Sequence, residues 1–352
     1  MACTRCTSTP HFSTEKCRVY INIIIPDLFE RIEPLLKIYF KILESSSTHF
    51  EIEVENFEVF LENIIKDDSL TLKEASAINV LPLYSGEKLN FATYSNTKTL
   101  DRWMSTVKSK ELIYILENQT LITHFQPIVD IKDKSIYGYE LLSRGVKSDG
   151  TIMNPFEMFK LAKESDLTFN LDRQARETSI ISSAREKIDK KLFINFLPTV
   201  IYNPEVCLKT TIDLIEKYNF KSENITFEVV ETEDISNTDH LKTILNFYRE
   251  KGFNIALDDV GSGYSSLNNL STLYPDYIKI DMTIIRDIHI NKLQQEVFLA
   301  LVNMSKNMNI KVLAEGVEIK EELDFVVENG ADLIQGYYFG KPSEKPLRKI
   351  EF

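Results

Sequence analysis

Cysteine is scarce in this 352-residue chain, which has four. That is too few to staple a protein of this size with disulfides, so the thiols are expected to be reduced and stability must come from a buried core. Basic blocks are missing too: Lys and Arg total 41 against 53 Asp and Glu, for a formal net charge of −12. Duplex nucleic acid and anionic membrane surfaces are held by runs of positive charge, so neither is expected as the main partner. A small phosphorylated ligand, neutralised locally, remains compatible with this balance. Long hydrophobic runs are also lacking. The longest early one, Ile21 to Ile25, is too short for a signal core or a membrane span, and the opening Met1-Ala2-Cys3-Thr4-Arg5-Cys6 is polar; a cytoplasmic protein is the expectation. No internal repeat or low-complexity tract interrupts the chain.

What is present is apolar material in quantity. The 43% hydrophobic content, with 21 Phe and 15 Tyr, suffices for a large core and a second domain. From Val19 to about Ser95 the pattern reads as a small α+β domain: a strand over 19–25, then a helix with Leu28, Ile32, Leu35, Leu36, Tyr39 and Leu43 on one face, interrupted at Pro34. Phe50 to Glu55 alternates strictly and reads as a half-exposed strand, and Phe57, Phe60, Leu61 and Ile64 fall at helical spacing. No catalytic constellation is evident there, which points to a regulatory role. Residues 1–18 read as a tail and the polar stretch 96–107 as a linker. Cys3, Cys6, His11 and Cys17 approach a zinc-knuckle spacing, but without glycines to shape the loop; they are read as incidental thiols in the tail, with a structural zinc as the alternative. Cys207 reads as a core or helix residue.

From residue 108 onward short apolar runs alternate with stretches long enough for helices. The runs are 192–196, 225–230, 253–257, 277–280 and 310–314, and such alternation implies a parallel sheet. Before them, Thr123–Asp130 and Ile136–Arg144 are joined by the tight turn Lys132-Asp133-Lys134 and must be antiparallel. The fold expected is an α/β chain: a (β/α)8 TIM-like barrel with one antiparallel strand over 108–352, preceded by the small α+β domain. Glu140, Asn195, Glu228, Asp258, Asp259, Lys279, Glu315 and Gln335 nearly all fall where a strand gives way to a loop, the position that lines the mouth of such a barrel. So many carboxylates around one lysine would repel one another if bare, so a pair of hard divalent ions is the simplest complement.

Gln126-Pro127-Ile128, Glu140-x-Leu142-x-Arg144, Asn195-x-x-Pro198, Glu228-x-x-Glu231, Asp258-Asp259-x-Gly261-x-Gly263-Tyr264-Ser265-Ser266-Leu267, Lys279-Ile280-Asp281, Ala314-Glu315-Gly316-Val317-Glu318 and Gln335-Gly336-Tyr337 occur in this order. The series resembles the EAL domains, cyclic di-GMP phosphodiesterases of bacterial signalling, from about Lys108 to the C-terminus. The resemblance implies Mg2+ or Mn2+ held by Glu140, Asn195, Glu228 and Asp258, with Asp259 reaching a second ion and Glu315 binding metal or orienting water. It implies that Lys279 polarises the attacking water or the phosphoryl oxygen, that Glu231 anchors the loop after Asp259, and that Gln126, Leu142, Arg144 and Gln335 serve the substrate side. The implied reaction is hydrolysis of cyclic di-GMP to linear pGpG, by a homodimer formed through the barrel.

Physical chemistry supports function over packing at two of these positions, since an Asn or Lys centred in an apolar strand is costly to bury without a partner. Glu318 fits a helix cap equally well. Gly261 and Gly263 lack the third glycine of a dinucleotide loop and follow two aspartates that would repel pyrophosphate, so they are read as giving flexibility to the loop that positions Asp259. Leu141, Val230 and Val260 depart from the residues usual in the family; none is an implied metal ligand, and Leu141 should point away from Glu140, towards the surrounding helices. The main alternative is a non-catalytic cyclic di-GMP receptor using the same site. A barrel of the enolase type fits less well, because the paired aspartates and Glu228-x-x-Glu231 suit phosphodiester hydrolysis better than enediolate chemistry.

Overall fold

The computed structural model describes residues 15–67, 69–230, 238–261 and 273–351. Cys3, Cys6, His11, Glu231, Gly263 and Tyr264–Leu267 therefore lie outside the described residues, as does the side chain of Val230. The chain divides into two compact units, one from Gln119–Val146 and Phe169 onward, the other from the described part of Thr7–Asn118 together with Lys147–Thr168.

In the smaller unit, β1 (Cys17–Ile23), β2 (Lys41–Ser45), β3 (His49–Val54), β4 (Ile78–Tyr84) and β5 (Lys98–Thr99) form an antiparallel sheet in the order β2-β3-β1-β4-β5. The alternation expected for 50–55 is realised: Phe50, Ile52 and Val54 are buried while Glu51 and Glu53 stay half-exposed, where they meet Arg18 and Lys16. The helix Pro26–Tyr39 runs through Pro34 without interruption and stops at Tyr39; Leu43, expected on its face, belongs to β2. The stretch 96–107 is not a loose linker. It forms β5 and most of the helix Leu100–Lys108, whose Leu100, Met104 and Val107 join the core of the unit, while the Trp103 indole donates to Val80 O at 3.1 Å. Cys17 is also in that core, where burial pushes its thiol up to about 11. After the helix Lys110–Asn118, the unit is completed by the two-residue strand β8 (Ile152–Met153) and the helix Pro155–Glu164.

The larger unit is a closed barrel. Its strands are β6 (Leu121–Asp130), β7 (Ser135–Val146), β9 (Lys191–Asn195), β10 (Ile225–Val230), β11 (Asn254–Val260), β12 (Tyr277–Ile280), β13 (Lys311–Ala314) and β14 (Leu333–Gln335). Neighbours from β7 round to β14 pair in parallel; β6 closes the ring and runs antiparallel to both β7 and β14. The expected architecture, one antiparallel strand in an eight-stranded barrel, is what forms. Outward residues such as Ile194, Phe227, Leu257, Ile278 and Val312 pack against helix residues such as Ile180, Leu245, Phe298 and Val326. Inside, Ile128, Phe193, Ala256, Tyr277, Leu313 and Leu333 form a separate apolar plug. Because β6 and β7 are joined by a turn and not a helix, other chain must cover their outer side. The C-terminal segment supplies cover: Ser343 and Phe125 exchange backbone hydrogen bonds at 2.8 and 3.2 Å, and the Tyr139 hydroxyl donates to Leu347 O at 2.6 Å.

Leu141 is 2% exposed and sits in the layer between barrel and helices, opposite in direction to Glu140. Truncating it opens a cavity in close-packed surroundings, so Leu141→Ala should lower the unfolding free energy by about 2–4 kcal/mol. Denaturant titration checks this, and a loss below about 1 kcal/mol would show that the layer collapses around the missing atoms.

Candidate active site

Strand pleating builds the site. Side chains two residues apart share a face, so each strand that places a residue in the apolar plug places another one step further toward the mouth. Phe193 leads to Asn195, Ala256 to Asp258, Tyr277 to Lys279, Leu313 to Glu315 and Leu333 to Gln335; on antiparallel β6 the step runs backward, from Ile128 to Gln126. Glu140 on β7 and Glu228 on β10 complete the ring. Gly138, two residues before Glu140, has no room for a Cβ, which would meet Lys191 O at 2.6 Å. Every strand of the barrel thus contributes one polar residue to a layer resting on hydrocarbon.

Lys279 stands at the centre and is 1% exposed. Its Nζ lies 2.9 Å from Glu228 Oε1, 3.0 Å from Asp258 Oδ1, 2.9 Å from Glu315 Oε1 and 3.4 Å from Glu140 Oε1. Burial alone would lower its pKa, but these carboxylates hold it well above the ordinary value. Glu140 is held from its other sides by amides: Asn195 Nδ2 donates to Oε1 at 3.2 Å and Gln335 Nε2 to Oε2 at 2.5 Å. Burial works to raise its carboxyl, yet Lys279 and the two amides outweigh that and keep it below the usual range. Glu228 and Glu315 go the other way. Burial pushes both well up, with Lys279 opposing and neighbouring carboxylates adding to the rise.

Asp258 and Asp259 are adjacent, and regular pleating would aim only one of them at the mouth. A register shift between Leu257 and Val260 breaks the pleat, and Asp259 adopts a left-handed φ of 56°, uncommon and strained for a residue with a side chain. The result is that Asp258, Asp259 and Glu315 bring ligand oxygens within 4.8 Å of one another, as do Glu140, Glu228 and Asp258. Burial, then Asp258 and Asp281, push Asp259 up to about 6. Gly261 is less a source of flexibility than a steric requirement, with a φ of 100° and no space for a Cβ beside Ile284.

The two carboxylate groups share Asp258 and offer only oxygen, the donor set of hard divalent ions. Glu228 Oε2 is buried and has no hydrogen-bond partner. Since buried polar atoms are nearly always partnered, this orphan oxygen is consistent with a cation ligand. Leu142 and Arg144, on the same face of β7 as Glu140, lie one and two steps nearer the mouth and are half-buried. Gln126 pairs across from Glu140. Glu318 does not cap the following helix; its carboxylate meets Arg286 at 2.7 Å, and buried Glu322 accepts from the Glu318 N–H at 2.9 Å. Glu322 was not singled out in the sequence, nor were Asp172 and Arg176, a buried ion pair behind Asn195. Their only sequence signal is an i, i+4 spacing in a helix without an apolar stripe.

The chain is similar to several known proteins. The Probable cyclic di-GMP phosphodiesterase PdeG of Escherichia coli is 30% identical over 250 residues, covering 69% of this chain and 49% of that protein. The cyclic di-GMP phosphodiesterase NbdA of Pseudomonas aeruginosa is 27% identical over 299 residues, covering 82% of this chain and 36% of that protein. The chain thus spans about half the length of the first relative and less of the second. Among solved structures, a standalone versatile EAL protein of Vibrio cholerae in its c-di-GMP bound form superposes with a TM-score of 0.60 at 36% identity, over 66% of this chain and 95% of that one. The Klebsiella pneumoniae BlrP1 manganese/cy-diGMP complex, at 22% identity and a TM-score of 0.60, covers 95% of this chain and 98% of its own, a likeness of fold. Finally, the EAL domain model matches residues 109–342, a span that contains every position of the polar ring, and the chain accordingly belongs to the EAL domain family.

Proposed function

We propose that the chain is a metal-dependent phosphodiesterase that hydrolyses cyclic di-GMP to linear pGpG. The observation that carries this reading is the pair of oxygen-ligand groups sharing Asp258 at the mouth of the barrel. Glu140, Asn195, Glu228 and Asp258 would hold one Mg2+ or Mn2+, and Asp259 with Glu315 a second. Ions held there would lower the pKa of water, so that hydroxide is available as nucleophile near neutral pH, and would stabilise negative charge developing on the phosphodiester oxygens.

The protein residues divide the remaining work. Lys279, already drawn to the carboxylates, supplies the fixed positive charge that polarises the attacking water or the phosphoryl oxygen. Asn195 and Gln335 orient Glu140 through its two oxygens. Arg144 offers a guanidinium fork to a phosphate, Leu142 an apolar contact, and Gln126 an amide. Glu231 anchors the loop after Asp259. The smaller unit acts as a regulatory domain and the barrel of the larger unit as the catalytic one. A homodimer through the barrel suits exposed Leu293 and Val297, one turn apart on the helix Lys292–Asn307. Among the described residues no helix is long and apolar enough to cross a membrane; the place of action proposed is the cytoplasm.

Glu140→Ala removes a carboxylate that both Asn195 and Gln335 are built to hold. Turnover of cyclic di-GMP to pGpG, followed by chromatography with Mg2+ or Mn2+, should be nearly abolished in the variant and in wild type with excess chelator. Turnover that survives both would sink the hydrolytic mechanism, and tight binding by wild type without any turnover would make the protein a receptor.

A second expectation concerns pH. Asp259's raised pKa means that the folded, metal-free protein binds this proton more tightly than the unfolded chain does. The stabilisation is therefore present at low pH and is lost as pH rises through about 6. Compared with Asp259→Asn, metal-free wild type should gain stability as pH falls from about 7.5 to about 5. Saturating Mn2+ should reverse the trend, because a ligand carboxylate must be ionised. Melting curves of the two proteins at matched pH decide it; parallel curves without metal would show that Asp259 ionises as it does in water.

A further inference from the structure

Asp172 and Arg176 form an ion pair shut away from solvent, their side chains 3% and 0% exposed, and no step of the proposed chemistry uses it. Both stand on the helix Thr168–Arg185. Asp172 Oδ2 accepts from Arg176 Nε at 3.1 Å and Nη2 at 2.7 Å, while Arg176 Nη1 donates to Thr211 Oγ1 at 2.5 Å. The other carboxylate oxygen, Asp172 Oδ1, accepts from the backbone N–H of Leu197 at 2.9 Å.

Buried ion pairs are weak devices for stability, because desolvation offsets most of the attraction and an apolar pair of similar volume often does as well or better. What an apolar pair cannot offer is an acceptor for Leu197. The ladder between β9 and β10 ends with Asn195 opposite Glu228, and Phe196 N–H makes a last link to Glu228 O at 3.2 Å. One residue later the chain has left the sheet, and Asp172 takes the next N–H. Asn195 lies two residues before that anchor and donates to Glu140 Oε1. A short line of contacts thus runs from the helix, through the strand end, to the carboxylate ring.

We propose that Asp172, oriented by Arg176, is a positioning residue for Asn195: by anchoring the Leu197 N–H it sets the exit of β9 and so aims the Asn195 amide at Glu140 and the ion site. The inference rests on reading the ring as a divalent metal site. Groups that orient ligands from behind tune metal affinity without touching the ion.

Two double variants of the whole chain separate anchor from charge. Asp172→Asn with Arg176→Met removes both charges but keeps a carbonyl oxygen for Leu197; Asp172→Leu with Arg176→Met removes the acceptor as well. In calorimetric Mn2+ titrations the first should stay within about threefold of wild type, and the second should weaken by about tenfold or more, with the two variants melting alike. Wild-type affinity in the Leu/Met variant overturns the proposal, and so does a loss shared by both variants in step with their melting temperatures. Absence of Mn2+ binding by wild type would instead defeat the metal reading. Hydrogen exchange then judges the anchor, as it does if the Leu/Met variant fails to fold. In wild type the Leu197 amide should be protected like those of Phe193 and Ile194, and exchange at the rate of a surface loop overturns the anchor.

Discussion

A single buried ammonium holds the mouth of this barrel together. Lys279 has four carboxylates within 3.4 Å, and each comes from a different strand. Their mutual repulsion in a medium of low dielectric would splay the strand ends apart, so the lysine acts as the hub to which β7, β10, β11 and the end of β13 are drawn. The same crowding gives the site its chemical bias. One ammonium cannot balance the carboxylates around it together with Asp259, so protons or cations are favoured there, and the raised Glu228, Glu315 and Asp259 are the electrostatic record of that deficit.

Beneath the hub, the two-residue repeat of β-structure stacks a polar layer on an apolar one. The apolar plug keeps the ring dry from below and allows charges to feel each other strongly. The pleat is broken where two consecutive side chains must face the same way, at Asp258 and Asp259. The strained left-handed backbone of Asp259 is the kind of local distortion that surrounding structure must overdetermine to sustain, here through the bulge at 257–260 and the tight approach of Gly261 to Ile284.

The ring was legible in the sequence because each of its members interrupts or ends an apolar strand, where burial without function is expensive. The barrel was legible for the same reason, through strands flanked by helical lengths and one hairpin too tight to be parallel. Other parts were harder to read. Residues 96–107 look polar as a block, but Leu100, Met104 and Val107 recur at helical spacing and carry the segment into the core. Pro34 marks a helix break in the abstract; here the helix continues through it. The helix Thr168–Arg185 has no clean apolar stripe because it buries Asn170, Asp172, Arg176 and several serines alongside Leu171, Ala175 and Ile180. Hydropathy cannot distinguish a solvated polar face from one that is internally hydrogen-bonded. Only the partners do, and two of them, Leu197 and Thr211, lie further along the chain.

The strap across β6 and β7 also dictates an order of assembly. The hairpin emerges from the ribosome before the other barrel strands, yet β6 finds its second neighbour only at β14, and the cover over Tyr139 arrives 208 residues later with Leu347. Until then an apolar hairpin must wait with one edge unpaired, a form that invites mispairing or chaperone capture. Closure of the barrel is thus a late event with a large loop entropy to overcome. The polar ring is completed only then, since Gln126 and Gln335, its members on the two closing strands, come together at that final step.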